Sequence, residues 1–167
     1  MLSRYNPTHI DNEVILSIDA STMRTGYAVV SNTLLLYSES DDTKKIARKT
    51  RLILRHYLQH VRMLIDRYHP TVIIIEEASF FSMAHAGVAM CLARLSAIPY
   101  LAAGTIPVYR INVSTWRSRV LGNGRATKAD GMAYVLAKYG KTVNDDESDA
   151  ICIGLAWYVA KDKLIGE

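Results

Sequence analysis

Apolar and polar positions alternate with different periods along the chain, and each change of period marks an element. Val14 to Ser21 (VILSIDAS) is a short β-branched run that reads as a strand. Gly26 to Ser31 and Thr33 to Ser38 follow as two more short strands with Asn32 at the turn, so the chain opens on an antiparallel meander. From Asp41 to His69 the period lengthens. Ile46, Ile53, Leu54, Tyr57, Leu58, Val61, Leu64, Ile65 and Tyr68 fall at helical spacing, and Pro70 stops the helix. Thr71 to Ile75 (TVIII) does not alternate, as expected of a strand covered on both faces. Met83 to Ala103 reads as a helix with a bend near Pro99, apolar on nearly every side and therefore in need of cover all round. Val108 to Ile111 is a last strand, and Ser114 to Leu121, Lys128 to Tyr139 and Asp145 to Lys161 read as helices. The order predicts an α/β domain built on a mixed five-stranded sheet, an antiparallel meander plus parallel strands, flanked by helices. Residues 1–12 read as a flexible polar arm and 13–167 as the domain, a length that supports one sizeable core.

Composition narrows the class only modestly. Half of the residues are apolar and 22% are charged, the balance of an ordinary globular protein. Cys91 and Cys152 each lie in an apolar, helix-like stretch without a partner at zinc or CxxC spacing, so they read as buried free thiols. The stretch Ala84 to Gly104 is interrupted by Arg94 and Pro99 and is no membrane span, and the polar start lacks the apolar core of a secretory signal. These features predict a cytoplasmic protein. A formal charge of +4 and a pI of about 9.1 permit a polyanionic partner without requiring one.

The chemistry lies in acids at element ends. Asp19 closes the first strand, Glu76 and Glu77 close TVIII, and Asp146 and Asp149 open the last helix. Taken singly, each has an ordinary explanation. A strand exit tolerates a solvated acid, and acids in a first helical turn favour the helix dipole. Taken together they suggest more. A carboxylate ending an apolar strand is costly to bury unless it is paired or metal-bound. Side chains alternate along a strand, so only one of Glu76 and Glu77 faces a given side. Asp146 and Asp149, three apart, share a helix face. Clustered carboxylates repel unless cations bind between them, and hard oxygen donors select Mg²⁺ or Mn²⁺. Two such ions roughly 4 Å apart can activate water and stabilise the leaving oxygen in phosphodiester hydrolysis.

ILSIDASTMRTGYAVV, IIIEEASFF and DDESDAICIGLAW, with the basic segment WRSRVLGNGRATKAD between the last two, resemble the motifs of the RuvC family of Holliday-junction resolvases in the RNase H-like superfamily. The similarity runs from about Val14 to Trp157. The resemblance implies a homodimeric endonuclease that resolves four-way, branched DNA with symmetric paired nicks, using two Mg²⁺ ions, with Mn²⁺ as a substitute. It implies that Asp19, Glu76, Asp146 and Asp149 are the metal-binding catalytic carboxylates, with Glu77 ranked second. Arg117 and Lys128 match basic positions expected at phosphates near the cut, Lys128 with a catalytic part, and Arg125 in the same segment joins them as a DNA-binding candidate. Phe80 and Phe81, the only phenylalanines of the chain, are candidates to stack on a base, with packing beneath the loop as the alternative for either. The sequence departs from the family after the first Asp, where Ala20-Ser21 stands in place of the usual Pro-Gly.

The remaining features read as structural. Lys44, Arg48, Arg51 and Arg55 share a helix face that is expected to be solvated. His56 and His60 lie one helical turn apart with no third metal ligand in view. Gly122 and Gly124 make a turn between helices rather than a phosphate loop. Competing functions are a related RNase H-like nuclease (YqgF-type, or directed at RNA–DNA hybrids or flaps) and a non-catalytic junction-binding protein. The second is disfavoured because acids repel a polyanion unless they carry metal. A two-domain sugar-kinase or actin-like ATPase does not fit into 167 residues.

Overall fold

The structure is a computed structural model and describes residues 13–42, 50–77 and 86–165. The expected arm over residues 1–12 lies outside the described residues. Strands β1 (Val14–Asp19), β2 (Arg24–Ser31) and β3 (Leu34–Asp42) form the meander, followed by α1 (Thr50–Tyr68) and β4 (Val72–Glu76). Then come α2 (Ala86–Ala103), β5 (Val108–Ile111), α3 (Val113–Leu121), α4 (Lys128–Tyr139) and α5 (Asp145–Ile165). The five strands form one sheet in the order β3-β2-β1-β4-β5. β1 pairs antiparallel with β2 and parallel with β4, and β5 extends the parallel half.

Strand alternation divides the core into two layers. Ile15, Ala28, Val30, Val72 and Ile74 pack toward α5, together with Trp116 of α3 and Val135 of α4. Leu16, Ile18, Tyr27, Val29, Ile73 and Ile75 pack toward α1 and α2. Both faces of β1 and β4 are therefore buried, which explains the unbroken apolar run of TVIII. Cys91 and Cys152 are free and buried, as expected. Among the described residues no helix is long and apolar enough to cross a membrane.

One boundary differs from the sequence reading. The helix expected from Asp41 begins at Thr50, because Asp41 and Asp42 continue β3, paired with Thr25 and Arg24 of β2. Alternation is the reason: Tyr37, Glu39 and Asp41 face α1, while Ser38 and Ser40 face α5 and bond Glu147 and Asn144. A polar strand end with both faces engaged shows none of the apolar alternation that marks a strand in sequence. Residues 43–49, and with them Lys44 and Arg48, lie outside the described residues, while Arg51 and Arg55 are exposed.

α2 is also less covered than its composition requires. Cys91, Leu95, Ile98 and Ala103 are buried, but Met90, Tyr100 and Leu101 are exposed, Leu101 by 73%.

α5 approaches the sheet closely at two glycines. A Cβ on Gly26 would lie 1.9 Å from the Asp146 carbonyl oxygen, and one on Gly154 would lie 2.7 Å from Ser17 Oγ. The Ser17 hydroxyl donates to the Ala150 carbonyl at 2.7 Å, tying the helix to β1 where the backbones are nearest. Gly26→Ala should therefore push the start of α5 off the sheet and cost about 1–3 kcal/mol, the usual range for overpacking, in urea denaturation. An unchanged midpoint would show that the approach is looser than described.

Candidate active site

Parallel pairing of β1 with β4 sets the site. Ile18 is in register with Ile75, so the next residues outward, Asp19 and Glu76, leave adjacent strand ends. Two residues beyond Ser17 and Ile74, both side chains fall on the α5 face. Glu77, one residue on, is exposed and borders a separate cleft with Arg110, Asn112 and Ser114. Of the two glutamates, Glu76 is thus the one turned to the other acids.

α5 brings the second pair. Asn144 caps it, its side-chain oxygen accepting from Glu147 N at 3.0 Å, so that Asp145, Asp146 and Glu147 occupy the first turn. Close seating on Gly26 carries Asp146 and, one turn on, Asp149 over the ends of β1 and β4. Asp149 is buried, and its Oδ1 has no hydrogen-bond partner among the described residues. Glu147 turns away to Ser38 and Lys141, 2.7 and 2.6 Å from its Oε1.

Cations and donors surround these acids. A capping box of Thr127 and Asp130 starts α4 at Lys128, whose Nζ donates to Asp145 Oδ2 at 2.5 Å. Arg117 of α3 lies 3.6 Å from Asp149 Oδ2, with its guanidinium over the Trp116 ring. The Trp116 indole N–H donates to Glu76 Oε2 at 2.8 Å. Arg24 of β2 stands 3.4 Å from Asp146 and 3.7 Å from Asp145.

Burial and crowding make these acids hold their protons more tightly than free carboxyls do. Burial raises the Asp19 carboxyl well above its ordinary range, and the negative charges of Glu76, Asp149 and Asp146 add to that against the single opposing influence of Lys128. Asp149 is pushed up to about 6, by burial first, with Glu76 and Asp145 reinforcing and Arg117 and Lys128 opposing. Glu76 is raised by burial against the Trp116 hydrogen bond and the charges of Arg117 and Lys128. Asp146 is raised by burial and by Asp145, against Lys128 and Arg24. Asp145 moves the other way, held low by its bond to Lys128.

Asp19, Glu76, Asp146, Asp149, Lys128 and Arg117 are thus brought together as the sequence reading expected. Arg125 is not in this group. It is exposed on the turn before α4, where its backbone N–H bonds Asn123. Phe80 and Phe81 lie outside the described residues. Sequence reasoning missed Arg24, Trp116 and the role of Asp145 as the partner of Lys128. For Arg24 a signal existed, since it sits two residues before Gly26, opposite the end of β1. Trp116 carried none, because its link to Glu76 spans 40 residues.

The donor set suits hard divalent cations. It is all oxygen, it contains a buried carboxylate oxygen without a partner, and its acids are destabilised in the charged state until positive charge arrives.

The fold is the RNase H-like one, a meander joined to a parallel pair with acids at the strand ends. The family model for the crossover junction endodeoxyribonuclease RuvC matches residues 15–157. The chain belongs to the RuvC family, whose members are metal-dependent nucleases. It is 26% identical over 156 residues to the RuvC of Pseudoalteromonas translucida, covering 91% of this chain and 90% of the relative. To that of Citrifermentans bemidjiense it is 25% identical over 147 residues, covering 85% and 90%. Among solved structures, Thermus thermophilus RuvC in complex with a Holliday junction substrate superposes with a TM-score of 0.76 at 19% identity, over 90% of this chain and 96% of that one. The yeast mitochondrial Holliday junction resolvase gives 0.61 at 16% identity, over 93% and 81%.

The raised carboxyls have a consequence for stability. Between the ordinary carboxylate range and about 6, the folded chain keeps the Asp149 proton that the unfolded chain releases, so this group's contribution falls as pH rises through that window. Asp19, raised by burial and by its acidic neighbours, adds a penalty of the same sign. In EDTA at pH 8, Asp19→Asn should therefore melt above wild type, each kcal/mol relieved being worth roughly 2–4 °C. The gap should close as the pH is lowered toward 4. A variant that melts below wild type at pH 8 would contradict the assigned repulsion.

Proposed function

We propose that this chain resolves Holliday junctions by metal-dependent phosphodiester hydrolysis, cutting two strands symmetrically and leaving 5′-phosphate and ligatable 3′-hydroxyl ends. The observation that carries this reading is the convergence of Asp19 and Glu76, on adjacent parallel strand ends, with Asp146 and Asp149 of α5. Family membership and the junction complex of the Thermus relative support branched DNA as the substrate.

Asp19, Glu76, Asp146 and Asp149 would hold two Mg²⁺ ions, with Mn²⁺ able to substitute, since all four offer hard oxygen donors at one end of the sheet. Bound there, the ions would supply the positive charge that activates an attacking water and stabilises the developing phosphoryl charge. Trp116 orients Glu76 through its indole bond, fixing which carboxylate oxygen faces the cleft. Lys128, more than half exposed and held by Asp145, is placed to exchange that carboxylate for a backbone phosphate as DNA arrives. Arg117 keeps an unpartnered, buried Nε, a donor still to be satisfied, and serves as the second phosphate contact. Arg125, exposed nearby, contributes long-range attraction for the polyanion. Phe80 and Phe81 remain the candidates for stacking on unpaired bases at the junction.

A second copy of the chain completes the assembly, since two cuts related by a two-fold axis need two sites. The exposed face of α2 offers the seam: Met90, Ala93, Ala97, Tyr100 and Leu101 follow helical spacing, with the alanines allowing close approach. This reading is of a cytoplasmic DNA-repair and recombination enzyme.

The test is cleavage of a synthetic four-way junction beside duplex, flap and RNA–DNA hybrid in Mg²⁺. Paired nicks on the junction, absent in Asp19→Asn while junction binding persists, are expected. Preferential cutting of hybrid or flap would assign another RNase H-like activity, and binding without cleavage in Mg²⁺ would overturn catalysis. Lys128→Ala should slow junction cleavage by about 10²-fold, the scale for losing one charge-stabilising group, with little change in melting temperature. Leu101→Glu should convert a dimer to a monomer in light scattering, and a wild-type chain that stays monomeric with and without junction DNA would remove the dimer.

A further inference from the structure

The face of the sheet away from the acidic cleft carries a second group of metal-type donors. Glu39 and Asp41 of β3 face α1, where His56 and His60 stand one turn apart. Among the described residues, Asp41, His56 and His60 are the one trio of such residues whose ligating atoms all lie within 4.8 Å of one another. His56 Nε2 makes a short contact with Asp41 Oδ2. His60 Nε2 is buried without a hydrogen-bond partner, and Glu39 Oε2 lies 3.9 Å from it.

The Asp41–His56 contact accounts for two of these residues and leaves His60 Nε2 without a partner. A buried ring nitrogen without a partner is costly to leave unsatisfied. The ring is also held in place, stacked on Tyr27 with centroids 4.3 Å apart and planes 21° apart. Burial holds the His60 imidazole below its usual pKa against the charges of Glu39 and Asp41, which favours the neutral ring that a metal requires.

We propose that Asp41, His56 and His60 bind one divalent transition-metal ion of the zinc class, with Glu39 or water as the fourth ligand. Two histidines at i and i+4 present their rings on one helix face, and imidazole with carboxylate suits zinc-class ions where Mg²⁺ prefers oxygen alone. Metal–nitrogen bonds of about 2.0–2.1 Å place ligand atoms roughly 3.3 Å apart, so rotamer adjustment within the present spacing closes the shell. The ion would satisfy His60 and neutralise Asp41 together. It would pin the end of β3 to α1 across residues 43–49, on the opposite side of the sheet from the Mg²⁺-type acids. The two centres would differ in ligand chemistry as well as in place, and this proposal does not rest on the nuclease reading.

The probe is Co²⁺, titrated into the full-length chain in excess Mg²⁺, which occupies oxygen-only sites. One equivalent should give the visible absorption of a low-coordinate, imidazole-ligated ion, displaced by Zn²⁺. His56→Gln and His60→Gln should each weaken binding by roughly 10-fold or more, since even a lost outer-shell partner costs that much. Asp19→Asn should leave it intact. A second measurement needs no variant: the ring-nitrogen NMR signals of His56 and His60 should shift together on adding Zn²⁺ to wild type. Absence of both the Co²⁺ spectrum and the ring-nitrogen shifts would overturn the site, leaving the Asp41–His56 contact only. Binding lost in Asp19→Asn but kept in both histidine variants would overturn it too.

Discussion

Withdrawal of four neighbouring carboxylates from water is the constraint on which the rest of this structure depends. Asp19, Glu76, Asp146 and Asp149 all hold their protons more tightly than free carboxylates do, with burial the largest cause for each. Such a group does not assemble by attraction, so other forces must hold its members in place. The apolar layers on both faces of the sheet supply them, with buried branched side chains each worth about 1.5–3 kcal/mol. Parallel pairing of β1 with β4 then sets two acids side by side. The glycine contacts at Gly26 and Gly154 let α5 approach closely enough to add the other two.

The basic residues have a double part in this arrangement. Lys128, Arg117 and Arg24 each offset some of the crowding, yet their charges do not return Asp19 or Asp149 to ordinary values. The site is therefore left short of positive charge, which divalent cations can provide. In the proposed function Lys128 and Arg117 turn to phosphate when DNA arrives, so charges that offset the crowding without substrate would position substrate when it is bound.

Much of this was legible because it is written in local patterns. Strand and helix periods placed β4, β5 and α4 nearly to the residue, and the acids at their ends stood out against apolar runs. Asp41 was not legible. The end of its strand is polar on both faces, engaged by α1 on one side and by α5 on the other, so its sequence pattern does not mark it as strand or as a third donor beside His56 and His60. Trp116 and Arg24 were hidden for a related reason. Their partners are distant in sequence, and only the folded register shows that an indole faces Glu76 or that a strand arginine faces the start of α5.

The most direct test of the charge-crowding account is the proton count on metal binding. Mg²⁺ would be titrated calorimetrically in buffers of differing ionisation enthalpy at pH 6 and pH 8. Asp149, pushed up to about 6, is partly protonated at pH 6 and must release its proton to accept the ion, so release should be larger at pH 6 than at pH 8. Binding of Mg²⁺ without proton release at pH 6 would show that the acids are already ionised there, and would contradict the account at its centre.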